Sequence, residues 1–208
     1  MPEPDRRPIA ARGARWTGAL LRLLLRTPIT PNQISLLSIA FAAAGAAALL
    51  GAPARPWLAL LAAAAIQARL VCNLMDGLVA VEGGRSSRLG SLYNEFPDRV
   101  ADSLLIVALG YGAGTPWLGW AGALAAALTA YVRVSGGALG LPQDFRGPMA
   151  KQHRMAVLTV ACLVHPLEAA LSGAGYGLLA AAWIILVGSI LTCATRTRAI
   201  AAQLQARA

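Results

Sequence analysis

The sequence predicts an all-α, polytopic integral membrane protein: six transmembrane helices preceded by an amphipathic interfacial helix. Three observations carry that prediction. The 208 residues are 57% hydrophobic and only 13% charged, whereas an ordinary soluble domain is about 25% charged. The apolar residues fall in runs close to the ~20 residues that a bilayer-spanning helix needs. The connections between the runs are short and carry Gly and Pro, as at Gly51-Ala52-Pro53, Gly83-Gly84 and Gly114-Thr115-Pro116, which are turn signals.

The N-terminal part, 1–28, reads as a basic tail followed by a juxtamembrane helix. Over about 9–27, Arg12, Arg15, Arg22 and Arg26 recur on one side at helical spacing. Trp16, Leu20, Leu23 and Leu24 fall mostly on another. Such a helix lies in the membrane interface. Pro28 and Pro31 then break it and turn the chain into the bilayer. The remainder, 29–208, holds the six spans, at roughly 32–51, 57–81, 90–112, 117–139, 155–172 and 176–195. The connection at about 140–154 is longer and polar.

The net charge is +9, and the basic residues are not scattered. Six Arg precede the first span, and others lie between spans two and three, between four and five, and after six. The opposite loops hold Arg55 alone. The positive-inside rule therefore places both termini, and the loops after spans two and four, in the cytoplasm of a bacterial-type cell membrane. Topology and anionic lipid explain the basic balance, so no nucleic-acid partner is implied. Cys72, Cys162 and Cys193 sit in apolar runs without paired spacing and read as packing residues.

Acids are scarce, yet five of the nine carboxylates fall within 73–102. Ionisable groups inside a span are expensive and point to function. Asn73 and Asp76 are three residues apart and share one face of span two. Asn94, Asp98 and Asp102 follow at intervals of four and form a stripe on span three. The polar ends of both helices meet at the cytoplasmic leaflet. Hard divalent cations such as Mg²⁺ and Mn²⁺ take such oxygen donors, and no His is near to favour zinc. The alternative is internal ion pairing of Asp98 or Asp102 with Arg69 or Arg99. Glu82 and Glu95 read as loop or rim residues.

This arrangement resembles the CDP-alcohol phosphotransferases, integral membrane enzymes of phospholipid synthesis. Their signature is D-x-x-D-G-x-x-A-R, eight residues, then G-x-x-x-D-x-x-x-D. Here Asp76, Gly77, Ala80, Gly90 and Asp98 match without a gap, while Asn73, Asn94 and Val81 replace two aspartates and the arginine. Thr30-Pro31-Asn32-Gln33 before span one also resembles the family. The resemblance implies transfer of a phosphatidyl-type group from a CDP-linked lipid, CDP-diacylglycerol, to an alcohol, with release of CMP. It implies a Mg²⁺ or Mn²⁺ held by Asn73, Asp76, Asn94 and Asp98, with Asp102 compensating for lost charge. It implies Asp98 as the base. It implies CDP-lipid contacts at Asp76, Gly77, Ala80 and Gly90, and a homodimer as in many relatives. For the three small residues, packing between helices is the competing reading.

The polar loop and its flanks supply Arg133, Lys151 and Arg154, which suit an anionic acceptor such as a polyol phosphate. The competing reading of the loop cations is contact with lipid headgroups. Two other functions use the same residues. One is a catalytically degenerate relative that binds CDP-lipid or metal without turnover, for which Asn73, Asn94 and Val81 speak. The other is a cation-conducting transporter, against which the ungapped signature and the lack of inverted repeats argue.

Overall fold

A computed structural model describes residues 15–173 and 175–207. Those residues form seven α-helices and no strand. They are α1 (Arg15–Leu25), α2 (Pro31–Gly51), α3 (Leu58–Val81), α4 (Gly90–Gly112), α5 (Pro116–Ala138), α6 (Lys151–Ser172) and α7 (Tyr176–Gln205). Arg6, Arg7, Arg12 and the rest of the expected basic tail lie outside the described residues.

α2 packs against α3 and α4, α5 against α4 and α7, and α6 against α3 and α7. The shared core is Ala- and Leu-rich, with Leu49, Ile66, Leu105, Leu109, Leu118, Leu158 and Ile185 inaccessible at its centre. Two glycines set the closest crossing. A Cβ on Gly119 would lie 2.7 Å from the Val107 carbonyl oxygen, and one on Gly110 would lie 2.5 Å from the Gly119 backbone. The outward faces carry large apolar side chains, among them Leu60, Leu61, Trp120, Leu124, Leu163, Ile184 and Leu191. In water these would be costly; in lipid they are the ordinary surface.

α2, α3, α5, α6 and α7 are long and apolar enough to cross a membrane. The sixth expected span, α4, has the expected bounds but falls outside that group of five. Its first half carries Glu95, Asp98, Arg99 and Asp102, which lower its apolarity. Those charges are turned to protein partners, while Phe96, Val100 and Leu104 occupy its exposed side.

α1 is amphipathic, as its sequence requires. Leu21 packs with Leu74, Met75 and Leu78 of α3, and Leu20, Leu24 and Leu25 flank that contact. α2 then starts with a capping box: the Thr30 hydroxyl accepts from the Gln33 amide, and the Gln33 side chain accepts from the Thr30 N–H at 2.9 Å. Pro31 occupies the first turn, where no N–H is needed. The cap fixes the phase of α2, and that phase aims Ser35 at α3.

Candidate active site

α3 enters the site with its last four turns and α4 with its first three. α2, α5, the α5–α6 loop and the starts of α6 and the last third of α7 close a cleft of about 990 Å³. The signature residues Asn73, Asp76, Gly77, Ala80, Gly90, Asn94 and Asp98 all line it. So do Arg133, Lys151 and Arg154, from the far side.

Asp76 is buried and held from two directions. Ser35 Oγ donates to Oδ2 at 2.7 Å, and the Gly77 N–H donates to Oδ1 at 2.6 Å. Asp98 stands opposite. Its Oδ1 accepts from Asn73 Nδ2 at 2.8 Å, pairs with Lys151 Nζ at 2.5 Å and lies 3.4 Å from Arg69 Nη2. Its Oδ2 faces Arg99 at 3.8 Å. Three donors thus crowd one oxygen and orient the carboxylate. Asn94 is exposed at the mouth of the cleft.

Asp102 has a different environment from the one expected of a metal ligand. Oδ1 meets Arg69 Nη2 at 2.6 Å and Oδ2 meets Arg154 Nη2 at 2.9 Å. Both partners are almost wholly buried. The ion pairing that the sequence left open is therefore present, and it joins α3, α4 and α6. Arg154 also donates to the Met149 carbonyl at 2.8 Å, which ties the polar loop to the same knot.

The small signature residues separate from the packing glycines. A Cβ on Gly77 would meet nothing within 4 Å, and one on Gly90 would meet only Ser87 Oγ, at 3.8 Å. Packing between helices does not require them to be small; they leave room in the cleft. Val81 lies exposed at the rim. Arg85 does not replace the arginine missing there. Its guanidinium donates to the carbonyls of Leu25, Thr27 and Ile29 at 2.9–3.1 Å and fastens the α1–α2 link to the α3–α4 loop.

Four residues of the site were not foreseen in their roles. Glu95 was expected at the rim; it lines the cleft and pairs with Arg133 at 2.5 Å. Its signal is the spacing Glu95–Asp98–Asp102, three then four, which is one helix face. Gln143 also accepts from Arg133, and Phe145 lies under that guanidinium with its ring centre 5.3 Å away. Arg196 donates to the carbonyls of Thr129 and Arg146 at 2.6 and 2.8 Å. The last three have no sequence signal of their own. Outside the spans, burial pushes the Asp144 carboxyl up, but hydrogen bonds from the Arg146 side chain and N–H outweigh that and hold it below the usual range.

Among the described residues, no three His, Cys, Asp or Glu side chains gather as a ready metal cluster. With Asp102 engaged and Glu95 paired with Arg133, the signature donors left facing the cleft are the Asp76 and Asp98 carboxylates and the Asn73 and Asn94 amide oxygens. All are hard oxygen donors, and as such they fit Mg²⁺ or Mn²⁺.

An all-helical membrane protein with a polar, carboxylate-bearing cleft at one end of its bundle is the class that fold and site define. The family profile described as CDP-alcohol phosphatidyltransferase matches residues 28–195, and the chain belongs to that family of membrane enzymes. A bifunctional IPC transferase and DIPP synthase from Rubrobacter xylanophilus is 39% identical over 158 residues, 73% of this chain. The match spans 35% of the length of that relative. Among solved structures, the phosphatidylinositol phosphate synthase of Mycobacterium tuberculosis with CDP-DAG bound superposes with a TM-score of 0.74 at 21% identity. It covers 90% of this chain and 94% of the other. The same synthase with manganese and citrate gives 0.74 at 20% identity over 88% of each chain. At these identities the likeness is one of fold.

Proposed function

We propose that this chain transfers a phosphatidyl-type group from CDP-diacylglycerol to a phosphorylated alcohol at the cytoplasmic face of the membrane, releasing CMP. The observation that carries this reading is the meeting of Asp76 and Asp98, in the family's register, across one cleft walled on its far side by cations. The basic residues of the two even-numbered loops supply the orientation. The names of the relatives, a phosphatidylinositol phosphate synthase that binds CDP-DAG and manganese and an IPC transferase, support the donor, the metal and an acceptor of this kind.

The chemistry follows from the donor set. The acceptor oxygen forms a bond to phosphorus, the bond from phosphorus to the CMP oxygen breaks, and the hydroxyl proton goes to Asp98. Asp98 is suited to this because Asn73, Lys151 and Arg69 fix Oδ1 and leave Oδ2 toward the more distant Arg99. Asp76, Asp98 and the amide oxygens of Asn73 and Asn94 would hold a divalent cation, which would supply charge neutralisation at the diphosphate. Gly77 and Gly90 leave the space through which the nucleotide reaches the α3 and α4 backbone. Lys151 is placed to meet the phosphate of the acceptor, and Arg154, held by Asp102 and the Met149 carbonyl, stands behind it.

The substitutions at Asn73, Asn94 and Val81 favour one second reading, a CDP-lipid-binding protein without turnover. Purified protein supplied with labelled CDP-diacylglycerol, Mn²⁺ and a panel of alcohols and polyol phosphates separates the two. CMP release that depends on one acceptor supports the transferase. Retention of CDP-lipid with no CMP from any acceptor supports the binding protein.

A further inference from the structure

Among the described residues, no protein carboxylate neutralises the cations of α1. Arg15, Arg22 and Arg26 recur at intervals of seven and four, which is one helix face, and all three are exposed. None of them takes part in an ion pair with a described residue. Beside that face stand Trp16 and Leu23, seven residues apart and both exposed. The docking face is a different one. Thr17 and Leu21 are buried, and Leu21 meets Leu74, Met75 and Leu78 in the last turns of α3. α1 thus lies beside the end of a helix long and apolar enough to cross the membrane. Charge alone would suit any polyanion. The apolar edge next to it selects a lipid surface, where Trp and Leu enter the headgroup boundary while arginines meet phosphates.

A second set of contacts joins α1 to the cleft. Arg85, in the α3–α4 loop, donates to the carbonyls of Leu25, Thr27 and Ile29 at 2.9–3.1 Å. Leu25 is the last residue of α1, so a cation meets the negative end of that helix. Leu25 also seats against Gly83: a Cβ there would lie 2.6 Å from Leu25 Cδ2. The loop so held gives Ser86 and Ser87 to the wall of the cleft and leads into Gly90, and α1 itself gives Trp16. α1 cannot shift without carrying that loop with it.

We infer that α1 is a sensor of anionic lipid: acidic phospholipid headgroups bind Arg15, Arg22 and Arg26, Trp16 and Leu23 anchor the helix in the same leaflet, and Arg85 transmits that seating to the α3–α4 loop. The charge of the leaflet thereby sets how firmly the mouth of the cleft is held. The inference holds for a transferase and for a binding protein alike.

The test is hydrogen–deuterium exchange of the full chain in nanodiscs of phosphatidylcholine alone and with about one-third phosphatidylglycerol. Two segments report: 15–30, which holds α1, and 82–90, where the amides of Glu82, Gly84 and Gly90 are hydrogen-bonded. Each arginine near an anionic surface contributes up to about fivefold. Phosphatidylglycerol should slow exchange of 15–30 by about tenfold or more, and that of 82–90 with it. High salt removes the effect. The variant Arg15→Gln, Arg22→Gln, Arg26→Gln loses both responses. Arg85→Gln keeps the response of α1 and loses that of the loop. Arg85→Lys, which keeps the charge without the fork to three carbonyls, does the same and serves if Arg85→Gln does not fold. Equal exchange in the two membranes overturns the inference, as does a response that the triple variant retains. A loop response that survives in both Arg85 variants overturns the coupling. Inorganic phosphate added to phosphatidylcholine nanodiscs should leave 15–30 unchanged. Slowing equal to that of phosphatidylglycerol would make the arginines a free-anion site and overturn the lipid surface as partner.

Discussion

Replacing Asp102 by Ala should cost this protein more stability than almost any other single change. Asp102 has 4% of its side chain accessible, Arg69 none and Arg154 1%. The carboxylate bridges the two guanidiniums at 2.6 and 2.9 Å. Two nitrogens of Arg69, Nε and Nη1, and Nε of Arg154 are buried without a hydrogen-bond partner among the described residues. Beyond Asp102, Arg69 has only the more distant Asp98 at 3.4 Å, and Arg154 only neutral acceptors such as the Met149 carbonyl. Breaking one buried pair typically costs about 3–5 kcal/mol, and here two cations lose their nearest carboxylate at once. For a chain of this size that corresponds to a fall in Tm of about 6–20 °C. Tryptophan fluorescence during thermal unfolding in detergent reads it. The triple variant Arg69→Met, Asp102→Leu, Arg154→Met removes all three charges together and should recover much of the loss, since apolar replacement of whole buried ion clusters is often neutral. A loss below about 1 kcal/mol for Asp102→Ala would refute the reasoning, because the arginines would then have another source of compensation.

Three further outcomes follow from the same geometry. Ser35→Ala removes the 2.7 Å hydrogen bond to Asp76, worth about 1.5–3 kcal/mol to a charged group; Mn²⁺ affinity, read by electron paramagnetic resonance, should fall, and unchanged affinity would disconnect Asp76 from the metal. Gly77→Ala meets open space and gains helix propensity of about 0.5–1 kcal/mol, so Tm holds or rises while CDP-diacylglycerol retention drops; Gly119→Ala, driven against the Val107 carbonyl, should cost about 1–3 kcal/mol. The depressed pKa of Asp144 means that its stabilisation is present above the ordinary carboxylate value, near 4, and is lost as pH falls through the lower folded value. Arg146 is 63% exposed, so Asp144→Asn should cost under about 1 kcal/mol at pH 7, and that cost should vanish in acid.

Much of the fold was legible in the sequence because hydropathy in a membrane protein is nearly a structural coordinate. α4 has the expected bounds, 90–112, although it falls outside the five helices apolar enough to cross a membrane. The misjudged ends have a common cause. α6 starts at Lys151 and α7 continues to Gln205, because Lys151, Arg154 and Arg196 are helical residues that reach inward to the site. Read as a line, they look like a polar loop and a basic tail. The signature register placed Asp76 and Asp98 across one cleft, since local spacing along two helices joined by a short loop determines which faces meet.

What spacing does not carry is contact between distant helices. Asp102 lies in the stripe with Asp98, yet its partners come from 33 and 52 residues away. Ser35 is 41 residues from Asp76. Glu95 read as a rim residue, and its partner Arg133 lies 38 residues away on another helix. Arg133 stood alone in an apolar run and signalled that it had a partner, but not which one.

One measurement decides most between transfer and mere binding: CMP released from labelled CDP-diacylglycerol by the purified chain, with Mn²⁺ and a polyol phosphate, compared with Asp98→Asn. CMP release that requires the acceptor, and that Asp98→Asn reduces by about a hundredfold or more as expected for loss of a positioned base, is the predicted result. Acceptor-independent release, or an Asp98→Asn variant as active as the wild type, would contradict it.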